Sequence, residues 1–197
     1  MNRTTVAAAA TALTAALVLA GCAGTTGTAT GTTAVPAAPT AGAAAHTEAD
    51  VVFAQGMIPH HRQAVSMAQL ADGRAGDEVR ALAGRIESAQ GPEIAQLQGM
   101  LAAWGAPETA AGDHAAHGPM AGMAGMAGDR EMAALGRASG PAFDRMFLQL
   151  MIAHHEGAVA MAGDELGAGA DPGARALAQR IVDAQRAEIA EMRALLG

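Results

Sequence analysis

The chain has 197 residues and a formal charge of −7, and its twelve basic residues are all arginine. About half of the residues are apolar, but only three phenylalanines and one tryptophan are aromatic, so a core must rely on aliphatic residues and twelve methionines. No basic patch stands out, which excludes nucleic acid as an expected partner. Stretches rich in Ala, Leu, Arg, Glu and Gln with few β-branched residues favour helices over strands. The composition therefore predicts an all-α protein.

Residues 1–21 are predicted to be a signal peptide. Arg3 supplies the positive charge at its start, and the apolar run over 6–20 is too short for an ordinary membrane span. The sequence LAGC at 19–22 resembles a bacterial lipobox, in which the peptide is cut before the cysteine and the cysteine is lipidated. Cys22 is the only cysteine, so no disulfide can form within the chain. We expect an extracytoplasmic protein that is lipid-anchored to the cell envelope through Cys22, with a plain secretory signal as the alternative.

The residues after the signal divide into a tether and a duplicated domain. Residues 22–47 are rich in Thr, Ala, Gly and Pro and predict a flexible tether. In the domain, over 48–197, DVVFAQGMIPHHRQAVSMA (50–68) aligns without gaps on DRMFLQLMIAHHEGAVAMA (144–162), and ALAGRIESAQGPEIAQL (81–97) aligns on ALAQRIVDAQRAEIAEM (176–192). We predict helices over 48–72, 76–104, 141–167 and 172–196, with a Thr47–Asp50 capping box and Asp171 as an N-cap. Two such hairpins make a four-helix bundle.

Helix periodicity places polar side chains on the inner face of each repeat. With Met57 taken as zero at about 100° per residue, His60 and His61 fall inside the apolar arc, whereas Gln63 falls on the opposite face. Glu156 follows the second pair of histidines and should face water. Each repeat thus directs two histidines, a methionine, a glutamate and a glutamine inward: Met57, His60, His61, Gln90 and Glu93 in the first copy, and Met151, His154, His155, Gln185 and Glu188 in the second.

The inward glutamates suggest a metal site. An isolated buried carboxylate costs several kcal/mol, so two buried glutamates that face four histidines need either protons or a metal ion. The alternative is a polar core of His–Glu hydrogen bonds that only fixes the helix register. Imidazole suits zinc, copper, nickel and iron, whereas thioethers select soft ions, above all Cu(I).

A Gly-rich crossover over residues 112–128 joins the two repeats. Its frequent glycines argue against a stable helix and predict a flexible segment. A loop of this composition has no core to fill, so its histidines and methionines are candidate ligands that would capture ions and pass them inward. They resemble the His/Met-rich segments of copper-handling proteins and lie mostly at three-residue steps: His114, His117, Met120, Met123 and Met126.

The duplicated Met-Ile-x-His-His motif resembles the bacterial domain-of-unknown-function 305 family, over roughly residues 48–197. The resemblance implies a ferritin-like four-helix bundle that is usually secreted or lipid-anchored, and some members of the family are linked to copper binding and copper resistance. The long Met/His crossover departs from the core pattern of the family. Carried over by motif, the implied binding residues are Met57, His60, His61, Met151, His154 and His155.

These observations predict a copper-binding lipoprotein, with Cu(I) as the expected ion, that acts in metal buffering or resistance and is not an enzyme. Glu93 and Glu188 are expected to orient the histidines or to serve as alternative ligands. Zinc and iron stay open as ions, and a homo-oligomer is compatible with the sequence. One rival is a ferritin-like iron- or manganese-dependent oxidase or peroxide-handling enzyme, although the Glu-x-x-His signature of di-iron bundles is missing. The other is a structural or stress-interaction module without metal.

Overall fold

Four long helices form two antiparallel hairpins. The computed structural model describes residues 45–108 and 123–197, and its helices are α1 (Glu48–Gln69), α2 (Asp77–Trp104), α3 (Asp129–Arg137), α4 (Gly140–Ala168) and α5 (Pro172–Leu196). Helix α1 pairs with α2, and α4 pairs with α5. The hairpins join mainly through α1 and α4, whereas α2 and α5 contact each other only slightly. The described residues contain no strand, and the predicted all-α bundle of two hairpins is confirmed.

The observed helices differ from the predicted ones at the end of α1 and in one additional helix, α3, and the other boundaries lie within one residue of those predicted. Helix α1 ends at Gln69, earlier than the predicted 72, and the following turn contains Gly73 with a positive φ of 67°. Helix α3 was not predicted; it has nine residues and follows the Gly-rich crossover directly. Leu135 anchors α3 in the core, where it is fully buried. Asp171 caps α5 as predicted, since its carboxylate accepts the N–H groups of residues 173 and 174.

Asp50 joins the start of α1 to the loop before α5. Its carboxylate accepts hydrogen bonds from the N–H and the hydroxyl of Thr47, at 2.6 and 2.7 Å, which confirms the predicted capping box. It also accepts the N–H groups of Ala170 and Asp171, at 3.1 and 2.8 Å. Burial alone would raise the pKa of Asp50, but these hydrogen bonds to its charged form hold that pKa below its ordinary value. Burial, reinforced by the neighbouring Asp50 carboxylate, raises the pKa of Glu165 to about 8.

A polar layer crosses the middle of the bundle between two apolar clusters. One cluster includes Met67 of α1 and Met151 of α4, and the other includes Met57 of α1 and Ala158 of α4. On each long helix, the buried histidines or glutamine lie in sequence between the residues of the two clusters. The layer contains His60, His61, Gln90, His154, His155 and Gln185, all of them buried.

Several predicted features lie outside the described residues. They are the signal peptide, Cys22, most of the tether, and His114, His117 and Met120 of the crossover. No helix in the described part of the chain combines the length and the apolar character that a membrane span requires.

Candidate metal centre

His60 and His154 meet at the centre of the polar layer. Their ring centroids are 3.7 Å apart with the ring planes tilted by 40°, although the two residues belong to different hairpins. All four imidazoles of the layer have 0% exposure. The paired histidines therefore face the dry interior of the bundle, as the helical period predicted.

The other two histidines bind glutamates on the partner helices. His61 Nε2 lies 2.8 Å from a carboxylate oxygen of Glu93, and His155 Nε2 lies 2.7 Å from that of Glu188. Because a carboxylate only accepts, each imidazole N–H donates, and the two repeats form the same contact. The two glutamate side chains are 20% and 19% exposed, so the expectation that they would be buried is wrong. The physical reason is that α2 and α5 contact each other only slightly, which leaves the outer edge of the layer open to solvent.

The end of the crossover, residues 123–127, docks onto the polar layer. His60 Nε2 donates to the carbonyl oxygen of Ala124 at 3.2 Å. The amide of Gln63 both donates to the carbonyl of Ala127 and accepts its N–H, each at 2.8 Å. A Cβ atom on Gly157 would overlap the carbonyl oxygen of Ala124, so the close approach of the two backbones requires glycine. Placing Gln63 on the solvent face was therefore an error, since a helical period takes no account of a loop that returns to cover that face.

The two central imidazoles are neutral at ordinary pH. Burial, together with the neighbouring His61 and His155, lowers the pKa of His60 to about 4. Burial also holds the pKa of His154 well below its usual range. A neutral His60 that donates from Nε2 carries its lone pair on Nδ1. Neutral imidazole is the form that binds metal ions.

Many buried polar atoms of the layer have no hydrogen-bond partner among the described residues. They include Nδ1 of all four histidines and Nε2 of His154, together with the side-chain amide of Gln90 and Oε1 of Gln185. Leaving a buried polar group unpaired costs about 1–3 kcal/mol, so such a cluster needs an explanation. A carboxylate that holds one imidazole nitrogen, as at His61 and His155, orients the ring and makes the other nitrogen a better metal ligand. The donor set therefore fits a transition-metal ion.

The described side chains do not form a ready-made cage for that ion. Within residues 45–108 and 123–197, no group of three or more His, Cys, Asp or Glu side chains is arranged to hold a metal. Met57 and Met151, the methionines of the two Met-Ile-x-His-His motifs, are buried on opposite sides of the polar layer, because Met57 belongs to one apolar cluster and Met151 to the other. Of the crossover methionines, Met123 and Met126 are partly buried. The central imidazoles thus meet, whereas a single site that unites all the predicted ligands is not formed in this structure.

The sequence model described as "Domain of unknown function (DUF305)" matches residues 50–196. The chain belongs to this family. A crystal structure of a DUF305 protein from Streptomyces coelicolor, one predicted to be secreted, is 37% identical in sequence, with a TM-score of 0.68 over 75% of this chain and 91% of that one. A DUF305 fragment from Deinococcus radiodurans is 39% identical, with a TM-score of 0.66 over 77% of this chain and 97% of the fragment.

Structures of the protein CopM also match this DUF305 chain. CopM in its Cu(I)-bound form is 31% identical, with a TM-score of 0.62 over 74% of this chain and 94% of CopM. CopM has also been solved in Cu(II)-bound, Ag-bound and apo forms. No curated protein sequence matches the chain.

Proposed function

We propose that this DUF305 protein is an extracytoplasmic, lipid-anchored copper-binding protein that buffers copper or confers resistance to it. The observation that carries the proposal is the set of buried imidazole nitrogens around His60 and His154 that have no hydrogen-bond partner in residues 45–108 and 123–197. Buried polar atoms without hydrogen bonds lower the stability of the metal-free protein. Coordination of an ion by these nitrogens would offset that loss of stability. The relationship to CopM, which has been solved with bound copper and silver, supports copper as the ion.

Cu(I) is the oxidation state that we propose for the bound ion. Imidazole binds many metals, but thioethers select soft ions. Met57 and Met151 are fully buried on either side of the polar layer, and Met123 and Met126 lie at the docked end of the crossover. The histidines, with Glu93 and Glu188 as orienting groups, would hold the ion, and the crossover, including His114, His117 and Met120, would capture it.

The geometry favours binding over redox turnover. Di-iron oxidases bridge their metal ions with several carboxylates from facing helices. Here Glu93 and Glu188 each bind a histidine of their own hairpin. We therefore propose a metal-handling protein without catalytic turnover. Iron- or manganese-loaded protein that consumes oxygen or peroxide catalytically would contradict this part of the proposal.

A competition titration tests the central proposal. The full chain is titrated with Cu(I) against a coloured Cu(I) chelator, alongside His154→Leu and the control His46→Leu. His46 precedes α1, is exposed and stacks on Trp104 at the end of α2, so its replacement should leave the histidine layer unchanged. We expect the wild-type chain and the control to compete with micromolar chelator, and His154→Leu to compete more weakly. Failure of the wild-type chain to compete would refute copper binding. Radiolabelled fatty acid that enters the wild-type protein but not Cys22→Ser would support the lipid anchor.

A further inference from the structure

A second group of soft donors lies outside the histidine layer. An apolar pocket of about 260 Å³ opens between the first half of α1, the last half of α4 and the end of the crossover. Met123 and Met161 line it together with Glu165, and none of the four buried histidines does. Methionines on a helix usually fill a core, but Met161 is only partly buried and its thioether borders open space.

Gly56 creates the space that these two methionines share. A Cβ atom built on Gly56 would lie 3.7 Å from both Met123 Cε and Met161 Sδ, so the two side chains converge on one point. The equivalent position in the second repeat is Leu150, and a leucine at position 56 would fill this space. The two repeats therefore differ where the two methionines meet.

Glu165 supplies a carboxyl group to the same pocket, and its raised pKa keeps that group protonated at neutral pH. It is only 1% exposed, and neither carboxyl oxygen has a hydrogen-bond partner among the described residues. It lies one helical turn after Met161, on the same face of α4. Asp164, at the rim of the pocket, is exposed and adds negative charge at its opening. The pocket therefore combines two thioethers with a buried carboxyl group that has no hydrogen-bond partner among the described residues.

We propose that Met123, Met161 and Glu165 form a second metal site that binds a soft monovalent cation, Cu(I) or Ag(I). Two neutral thioethers match the softness of such an ion, and Glu165 would match its single charge by releasing its proton when the ion binds. The apolar wall disfavours hard cations such as Mg²⁺, which keep much of their water. The choice of ion rests on the proposed copper function, whereas the donors and their placement do not.

Silver ion tests this site directly, because it has the same charge and softness without redox chemistry. The full chain is labelled with [¹³C-methyl]methionine and titrated with Ag(I), and the methyl signals are assigned with Met123→Leu and Met161→Leu. The variants that should impair the site are Met161→Leu and Gly56→Leu, of which the second fills the pocket with the residue of the other repeat. The matched control is Met67→Leu, because Met67 is the repeat equivalent of Met161 and is fully buried away from the pocket.

We expect the methyl signals of Met123 and Met161 to shift in the wild-type chain and in Met67→Leu. Met161→Leu and Gly56→Leu should each bind one equivalent of Ag(I) less than the wild-type chain, or bind that equivalent at least about tenfold more weakly. Unchanged methyl signals at saturating Ag(I), or full stoichiometry and affinity in Met161→Leu, would overturn the second site. His154→Leu separates the two proposals. If the methyl signals of Met123 and Met161 still shift with Ag(I) in His154→Leu, the second site is supported. If His154→Leu binds as many Ag(I) ions as the wild-type chain, with the same affinity, the result contradicts the histidine centre and leaves the second site standing.

Discussion

Gln63 and Gly157 occupy equivalent positions in the two repeats, and both contact the same docked segment, residues 123–127. Gln63 holds the segment with two hydrogen bonds to Ala127, whereas Gly157 leaves room for the backbone of Ala124. One repeat thus supplies the polar attachment and the other supplies the space. Gly56, which borders Met123, differs between the repeats in the same region. The docked crossover therefore breaks the symmetry of the duplicated hairpin.

Replacing Gly157 by alanine should release this segment. Alanine normally stabilises an exposed helix interior by up to about 1 kcal/mol relative to glycine, but here its Cβ would overlap Ala124, and such overpacking costs about 1–3 kcal/mol. We expect faster hydrogen exchange at the Ala127 amide and a lower melting temperature. Gly163→Ala is the matched control, since its Cβ would meet no atom of the described residues within 4 Å and the substitution should raise the melting temperature. Equal effects of the two substitutions would show that the docking is not sterically specific.

Replacing His154 by leucine should separate apo stability from metal binding. Both ring nitrogens of His154 are buried and have no hydrogen-bond partner among the residues that the structure describes, so an apolar side chain of similar size removes an unfavourable burial. We expect the free energy of unfolding of the metal-free protein to rise by about 1–2 kcal/mol. We also expect the stabilisation by Cu(I) to fall, because ligand-induced stabilisation follows affinity. Urea denaturation with chelator and with Cu(I) measures both effects. A leucine variant that is less stable without metal would indicate that His154 is a satisfied structural group.

Replacing Glu93 and Glu188 by glutamine together should weaken metal binding without removing a histidine. Each carboxylate orients one imidazole through a bond of 2.7–2.8 Å, and loss of such an orienting group typically lowers metal affinity about 10- to 100-fold. Competition with a Cu(I) chelator measures the change. Glu156→Gln provides the control, because Glu156 is exposed, as the sequence predicted, and pairs with Arg193 on the surface. If control and double variant lose the same affinity, the effect comes from overall charge.

Asp50 should contribute far more stability than Asp144, its equivalent in the second repeat. Asp50 is fully buried and accepts hydrogen bonds from three residues, whereas Asp144 is partly exposed and, within the described part of the chain, accepts only the N–H of Gly76. We expect Asp50→Ala to lower the free energy of unfolding by about 2–4 kcal/mol, and Asp144→Ala by less than about 1 kcal/mol. Urea denaturation at pH 7 makes the comparison. Similar losses in the two variants would mean that the buried network adds little.

The Asp50 carboxylate should also make the stability of the folded chain depend on pH in the acid range. The pKa of Asp50 in the folded chain lies below the ordinary value of 3.8, so the unfolded chain binds the proton first as the pH falls. The contribution of Asp50 is therefore fully present above pH 3.8 and is lost progressively below it. As the pH falls below 4, we expect the urea midpoint of Asp50→Asn to decrease less than that of the wild-type chain. Parallel pH profiles for the two proteins would contradict this assignment.

Local sequence patterns were sufficient to predict the four long helices of this protein and the inward face of each of them. The alignment of two hairpins predicted four helices, and the 3.6-residue period predicted that the histidines face inward. Both predictions succeed because helix formation and the face on which a side chain lies depend on residues that are near one another in the chain. The same period placed Glu156 outward, where it lies. These features follow from the sequence because a helix repeats the same geometry at every turn.

Contacts between distant residues decided the rest. The meeting of His60 with His154, the turn of His61 and His155 toward glutamates at the bundle edge, and the pocket under Met123 all depend on how separate elements pack. No local period encodes the docking of a crossover onto a helix face, so Gln63 was assigned to the wrong environment and Glu165 was overlooked. The sequence by itself thus determined which side chains the helices turn inward, and only the tertiary structure decided which partners those side chains meet, since that choice depends on packing across the bundle.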